Sequence, residues 1–399
     1  MIRLHRFAWE VAATLMVALI IVFGVVPALD AQSTDPIVIG AVLSLTGRDA
    51  AFGQECLAGL DIAIEEANAE GGIHNRPVAL QVYDDKSNPI LAAEGVRTLV
   101  RQFGPVAIVG SNTSMVTSAA AVAAQAVGVP LVVPEATKPE ISSIGDWIYR
   151  VCFVDPDMAA GLATYAFSDL NLRRVAILTE EKHDYTVSFA KYFRDKFIGL
   201  GGEIVYQATY KAGSTEFDPL VEAAGGSQAD AIMVSGFYAE AGNVIASAKR
   251  QNVNLAFLGG DGWESDGLFT AAGDAITDRS RIFIASHFSG DVKRVKVRGF
   301  VDAFREKFGR RPNTSSALGF DAGGMIVAAT TDAVTPTAAG VKASLQHVHH
   351  EGVTGHITID ETRNPSKKVI ILQASPGQRF SYVRAISPET LETAEATQQ

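Results

Sequence analysis

The chain has 399 residues, of which 47% are hydrophobic and 20% charged, and a formal net charge of −10. This balance excludes a disordered chain. An acidic protein without a basic cluster is also a poor candidate for nucleic acid, because phosphate contacts need Lys and Arg in quantity. The length suffices for two medium domains, each burying its own core.

In chain order, the first segment reads as an export signal. Arg3 and Arg6 give a positive start, an apolar run follows from Val11 to Leu29, and Ala31 is a small-residue cleavage point. The run is nearly long enough to span a bilayer, so cleavage and retention as an anchor both stay open. With no Cys near this end, lipid attachment is not expected. Residues 1–31 contain Arg3 and Arg6 against Glu10 and Asp30, so the remainder still carries −10.

A βαβα series then begins. Ile37 to Leu43 is a continuous apolar run, as in a strand buried on both faces. Leu57, Leu60, Ile64 and Ala67 recur at helical spacing, and Gly71-Gly72 stops that helix. Val78 to Tyr83 reads as a strand, and Asn88-Pro89 opens the next helix. Ala107 to Val109 is a strand, Ser111 to Ser114 a polar turn, and an Ala/Val-rich helix runs on to Val127. Val129 to Val133 closes this series. A second series follows: strands at Val175–Leu178, Glu203–Tyr206, Ala231–Val234 and Leu255–Leu258, alternating with helices at Val187–Phe197, Phe217–Ala224 and Ala241–Arg250. Each series is too short for a barrel, so the fold class expected is α/β, with two doubly wound parallel-sheet lobes. Arg298–Phe308 and Ala317–Ala333 read as helices, and Gly352–Asp360 and Lys368–Gln373 as short strands, returning to complete both lobes. The expected division is residues 36–152 with 287–364 as lobe 1, 153–286 with 365–386 as lobe 2, and a polar tail at 387–399. Several crossings between lobes would form a multi-strand hinge.

The scan for catalysis is negative. There is no G-x-S-x-G elbow, H-E-x-x-H or P-loop. The glycines at 199, 201 and 202 end a helix instead of opening one, so no dinucleotide loop and no cofactor are expected. His347, His349 and His350 lack Cys or acidic partners at zinc spacing and read as a solvated loop, not a metal site. Cys56 and Cys152 are the two cysteines. An oxidising compartment permits a disulfide between them, and buried free thiols are the other reading.

The informative residues lie at carboxyl ends of strands, where open α/β sheets bind ligands. Lobe 1 offers Phe52, Ser111 to Ser114, and Glu135, Ala136 and Thr137. Lobe 2 offers Tyr185, Phe237 and Asp261 within Gly259-Gly-Asp-Gly-Trp263. Hydroxyls beside helix N-termini suit a carboxylate. An Asp among glycines and aromatics suits an ammonium, with Trp263 and the loop aromatics shielding it. The same residues also serve as helix caps and core.

At these positions the chain resembles the leucine/isoleucine/valine-binding protein family, receptors of branched-chain amino-acid ABC transporters with the type I periplasmic-binding fold. The resemblance rests on Gly40-Ala-Val-Leu-Ser-Leu-Thr-Gly47, Asn68-Ala-Glu-Gly-Gly-Ile73, Tyr83-Asp-Asp85, Pro134-Glu-Ala-Thr-Lys-Pro-Glu140 and Gly259-Gly-Asp-Gly262. It implies carboxylate-binding hydroxyls at Ser114 and Thr137, a backbone carbonyl for the ammonium at Glu135, and an acidic ammonium partner at Asp261, usually Glu in the family. It implies aromatic walls at Phe52, Tyr185 and Phe237. Two of these, 52 and 237, are Tyr in branched-chain receptors. Ser87 and Thr113 stand where some members carry a disulfide. The resemblance further implies a periplasmic or extracytoplasmic monomer that hands its ligand to a membrane permease, with no enzymatic activity. An amino acid is the expected ligand, and an amide, urea or aromatic carboxylate is the alternative.

Overall fold

The computed structural model describes residues 35–387. The export signal and all but the first residue of the polar tail lie outside them. Two sheets organise the chain. The first has five parallel strands in the order β2-β1-β3-β4-β5. These are β1 (Ile37–Leu43), β2 (Val78–Asp84), β3 (Ala107–Gly110), β4 (Leu131–Val133) and β5 (Ile148–Arg150). Helices α1 (Ala50–Ala69), α2 (Pro89–Phe103) and α3 (Ser114–Val127) connect the first four. Asn88 caps α2 by accepting from the Ile90 amide at 2.8 Å, with Pro89 at the first helical position.

The second sheet has seven strands in the order β14-β13-β10-β9-β8-β6-β7. Strands β6 (Arg174–Glu180), β7 (Glu203–Tyr210), β8 (Ala231–Ser235), β9 (Ala256–Gly259) and β10 (Ile282–Ser286) are parallel. They alternate with α5 (Asp184–Gly199), α6 (Asp218–Gly226), α7 (Tyr238–Arg250) and α8 (Asp266–Ala272), while α4 (Asp155–Thr164) leads into the series. The sheet is not parallel throughout. Strands β13 (Val369–Ser375) and β14 (Arg379–Ile386) form a hairpin that adds to β10 antiparallel, because the chain re-enters after its excursion and a tight turn can only join antiparallel neighbours.

The segment between those entries returns to the first sheet. Helices α9 (Val295–Phe308), α10 (Thr314–Asp332) and α11 (Ala338–Leu345) lie here. Helix α10 packs on α1 with little between the backbones: a Cβ on Gly59 would fall 1.8 Å from the Ser316 carbonyl oxygen, and one on Gly319 2.1 Å from that of Cys56. Gly352–Asp360 is not one strand. Its Gly352 amide bonds the Gly355 carbonyl at 2.9 Å, closing a turn between β11 (His349–Glu351) and β12 (His356–Thr358). His349 and His350 therefore sit in a ribbon, not a loop, and His350 is half-buried beside Gly324.

Cys56 and Cys152 are free and buried in one core. The Cys152 thiol donates to the Ala136 carbonyl at 3.4 Å, and burial pushes its pKa up to about 12. Ser87 and Thr113 are joined through Asp49 by a polar link. The Asp49 amide donates to Ser87 Oγ at 2.9 Å, and its carboxylate accepts from Thr113 Oγ1 at 2.8 Å.

Three crossings join the two sheets: residues 151–154, 287–294 and 359–368. They touch each other. Phe153 stacks on His287 with ring centroids 3.6 Å apart, and Lys367 Nζ donates to the Val151 carbonyl at 2.9 Å.

Candidate functional site

In each sheet the connections reverse direction beside one strand. In the first this strand is β1, flanked by β2 and β3; in the second it is β6, flanked by β7 and β8. A reversal leaves a crevice at the strand carboxyl ends. In the first sheet Asp85 fixes the crevice, accepting from Ser44 Oγ and Ser111 Oγ at 2.6 Å each. Asp84 gathers the Leu45 and Thr46 amides at 2.9 and 3.2 Å. The Tyr83-Asp-Asp85 motif thus organises loops.

The two crevices face one another across a narrow cavity of about 30 Å³. Phe52, Ser114, Glu135, Ala136, Thr137, Tyr185, Phe237 and Asp261 line it with Asn112, Thr113 and Gly262, whereas Ser111 and Trp263 do not. All are buried except through the cavity itself. Phe52 opens α1 and meets Phe237 at 5.9 Å between centroids. Phe237 also packs against Tyr185 at 5.6 Å and carries the Arg48 guanidinium 4.7 Å above its ring.

Ser114 begins α3, whose exposed amides and dipole favour an anion. Its hydroxyl accepts only a long bond, 3.4 Å, from the Lys138 amide, so its proton remains available to donate. Buried Arg150 shapes the neighbouring loop by donating to the carbonyls of Ala136 at 2.5 Å and Lys138 at 2.9 Å. The Glu135 side chain is tied back by Ser315 Oγ at 2.6 Å and Asn112 Nδ2 at 3.1 Å, which leaves its backbone to serve the cavity.

Asp261 stands on the opposite wall. Its carboxylate makes its hydrogen bond with His287 Nε2 at 3.1 Å, not with its own turn. Burial lowers the His287 pKa against the pull of Asp261, which disfavours the charged imidazolium as a partner for that carboxylate. No other ion pair to Asp261 is formed among the described residues. Trp263 does not shield it: the indole packs into the core beneath β9, against Gly259. His287 was not foreseen, although the Ile282–Ser286 apolar run places it at a strand's carboxyl end, where the other site residues were sought.

Acidic groups crowd this centre. Burial, then the nearby Asp261, pushes Glu135 up to about 8; burial pushes Glu264 up to about 8 and Asp155 up to about 7. An acid whose folded pKa is raised stabilises fully below its unfolded value, near 4.5 for Glu, and that contribution is lost as pH rises through the folded value. The unfolding free energy without ligand is therefore expected to fall between pH 5 and 8, and Glu135→Gln to flatten the decline. Denaturant titrations across that range check this; an unchanged slope in the variant would contradict it.

The rim is closed by charge. Arg48, from the first sheet's β1 loop, grips Glu180 at the end of β6 with two bonds of 2.8 and 2.6 Å, and lies 3.7 Å from Glu240. Lys138 pairs with Asp184 at 2.7 Å.

Two lobes meeting over a small, lined cavity, with their sheets' reversal points opposed, define a solute-binding protein. The family model described as "Periplasmic binding protein" matches residues 36–379, and the chain belongs to that family. An "Amino acid binding protein" of Pseudomonas aeruginosa is 28% identical over 247 residues, which span 61% of this chain and 66% of that protein. The branched-chain amino acid transporter substrate-binding protein LivJ of Streptococcus pneumoniae, solved with isoleucine, is 30% identical. It superimposes with a TM-score of 0.83 over 89% of this chain and 100% of that one. A leucine-binding protein, LivK, of Thermotoga maritima is 26% identical with a TM-score of 0.82, covering 88% and 99%.

Proposed function

We propose that this protein is an extracytoplasmic receptor of an ABC importer and encloses an amino acid between residues 36–152 with 287–364 and residues 153–286 with 365–386. It acts as an exported monomer, performs no chemistry, and delivers the ligand to a membrane permease. The observation that carries the reading is the polarity of one cavity. Ser114 and Thr137 line it beside a helix N-terminus, and Asp261, without a Lys or Arg partner among the described residues, lines it from the other lobe. An α-carboxylate and an α-ammonium satisfy both ends, and Phe52, Tyr185 and Phe237 accept an apolar or aromatic side chain. The relatives that bind branched-chain amino acids support the same reading.

A thermal-shift screen over amino acids, amides and aromatic acids tests it, since a ligand at a hundred times its Kd adds about 2.7 kcal/mol. Ser114→Ala and Thr137→Ala are each expected to weaken the best ligand by about 1.5 kcal/mol, the lower range for a hydrogen bond to a charged group. Calorimetry showing wild-type affinity in both variants would move the carboxylate elsewhere.

A further inference from the structure

The amide of Asn112 is half used. Its Nδ2 donates to Glu135 Oε2 at 3.1 Å, and the other Glu135 oxygen is occupied by Ser315. Its Oδ1 is buried and has no hydrogen-bond partner among the described residues. Asn112 itself lines the cavity, alongside Phe52 and Phe237. A carbonyl oxygen accepts and cannot donate. In this closed arrangement no water reaches it; parting the lobes exposes it to solvent, and a ligand that then excludes water must supply that bond or bear its loss. A purely aliphatic side chain offers nothing to it.

The ligand's other polar groups already have partners. In the reading above the carboxylate is met by Ser114 and Thr137 and the ammonium by Asp261. The Tyr185 hydroxyl lies beside Gly260 and Asp261, at the ammonium end. Asn112 precedes Ser114 by two residues and belongs to the other lobe, so a different part of the ligand must answer it.

We infer that Asn112 sets specificity for an amino acid whose side chain carries a hydrogen-bond donor, a hydroxyl or N–H, on an otherwise apolar frame. This rests on the amino-acid reading. The hydroxyl or N–H donates to Oδ1, and the aromatic walls pack on the rest. Sites built to bond such a group reject the analogue lacking it, because a buried polar atom is then left unpaired.

Isosteric pairs isolate the donor: threonine against valine, and tyrosine against phenylalanine. Calorimetry on the wild type is expected to show at least one hydroxyl member binding about tenfold or more tighter than its partner. Asn112→Leu, which fills the space without an acceptor, should abolish or reverse that ratio. Asn112→Ala serves the same comparison if the leucine variant does not fold. The ratio within a pair is the readout, so a general loss of affinity from disturbing Glu135 does not imitate the effect. Equal binding within both wild-type pairs, or a ratio that survives both substitutions, overturns the inference while leaving the amino-acid reading intact. Failure of every amino acid to bind the wild type, with binding of a deaminated carboxylate, overturns both.

Discussion

Asp261→Asn is expected to weaken an amino-acid ligand by at least about 2 kcal/mol, roughly thirtyfold, at almost unchanged shape. The cause lies in what surrounds the carboxylate. It is buried, its bond is to an imidazole whose charged form burial disfavours, and it has no Lys or Arg partner among the described residues. An unpaired buried charge is costly, and the α-ammonium is the group that removes the cost. Asparagine still accepts from His287 but supplies no charge. The same ligand without its amine should lose far less, or gain. Calorimetry with both compounds on both proteins separates the cases. Equal affinity of the two proteins for the amino acid, or a best ligand with no amine, contradicts the assignment.

Gly59→Ala is expected to destabilise the fold by about 3 kcal/mol, the upper end for overpacking. The added methyl would sit 1.8 Å from the Ser316 carbonyl oxygen, a backbone atom in the middle of the α1–α10 contact, so the helices themselves must part. The intrinsic helical preference of Ala over Gly, about 1 kcal/mol, opposes the loss without cancelling it. Gly299, exposed in α9 with nothing near its missing Cβ, supplies the control. Gly299→Ala should stabilise by up to about 1 kcal/mol. Urea denaturation of the two variants checks the contrast, and equal effects would show that the helices yield.

Much of this architecture is legible in the residues themselves. Strands buried on both faces, such as Ile37–Leu43 and Ala231–Val234 within β8, are unbroken apolar runs. Fold topology then places the loops after them at the ligand crevice, which is why Phe52, Ser114, Thr137, Tyr185, Phe237 and Asp261 could be read together. Strand β5 was hidden because its Arg150 is fully buried and satisfies backbone carbonyls, the opposite of what hydropathy suggests. The Asp261–His287 and Arg48–Glu180 pairs span 26 and 132 positions. No periodicity encodes them, since only the folded sheets bring these residues within reach. The ribbon at His349–Thr358 was misread because two three-residue strands carry too little pattern.

The three linked crossings have a mechanical consequence. Bodies tied by a single thread can twist and slide freely, but threads that grip one another through Phe153, His287, Val151 and Lys367 act as one pivot pin. The easy coordinate left is an angle. Whatever fills the cavity can then be announced outside chiefly as a degree of shutting, with Arg48 and Lys138 as the catches that fix its end point. In the transport role proposed above, a permease that spans both rims would read that angle and never meet the cargo. In that role the recognised surface and the selecting chamber would change independently, one residue at a time.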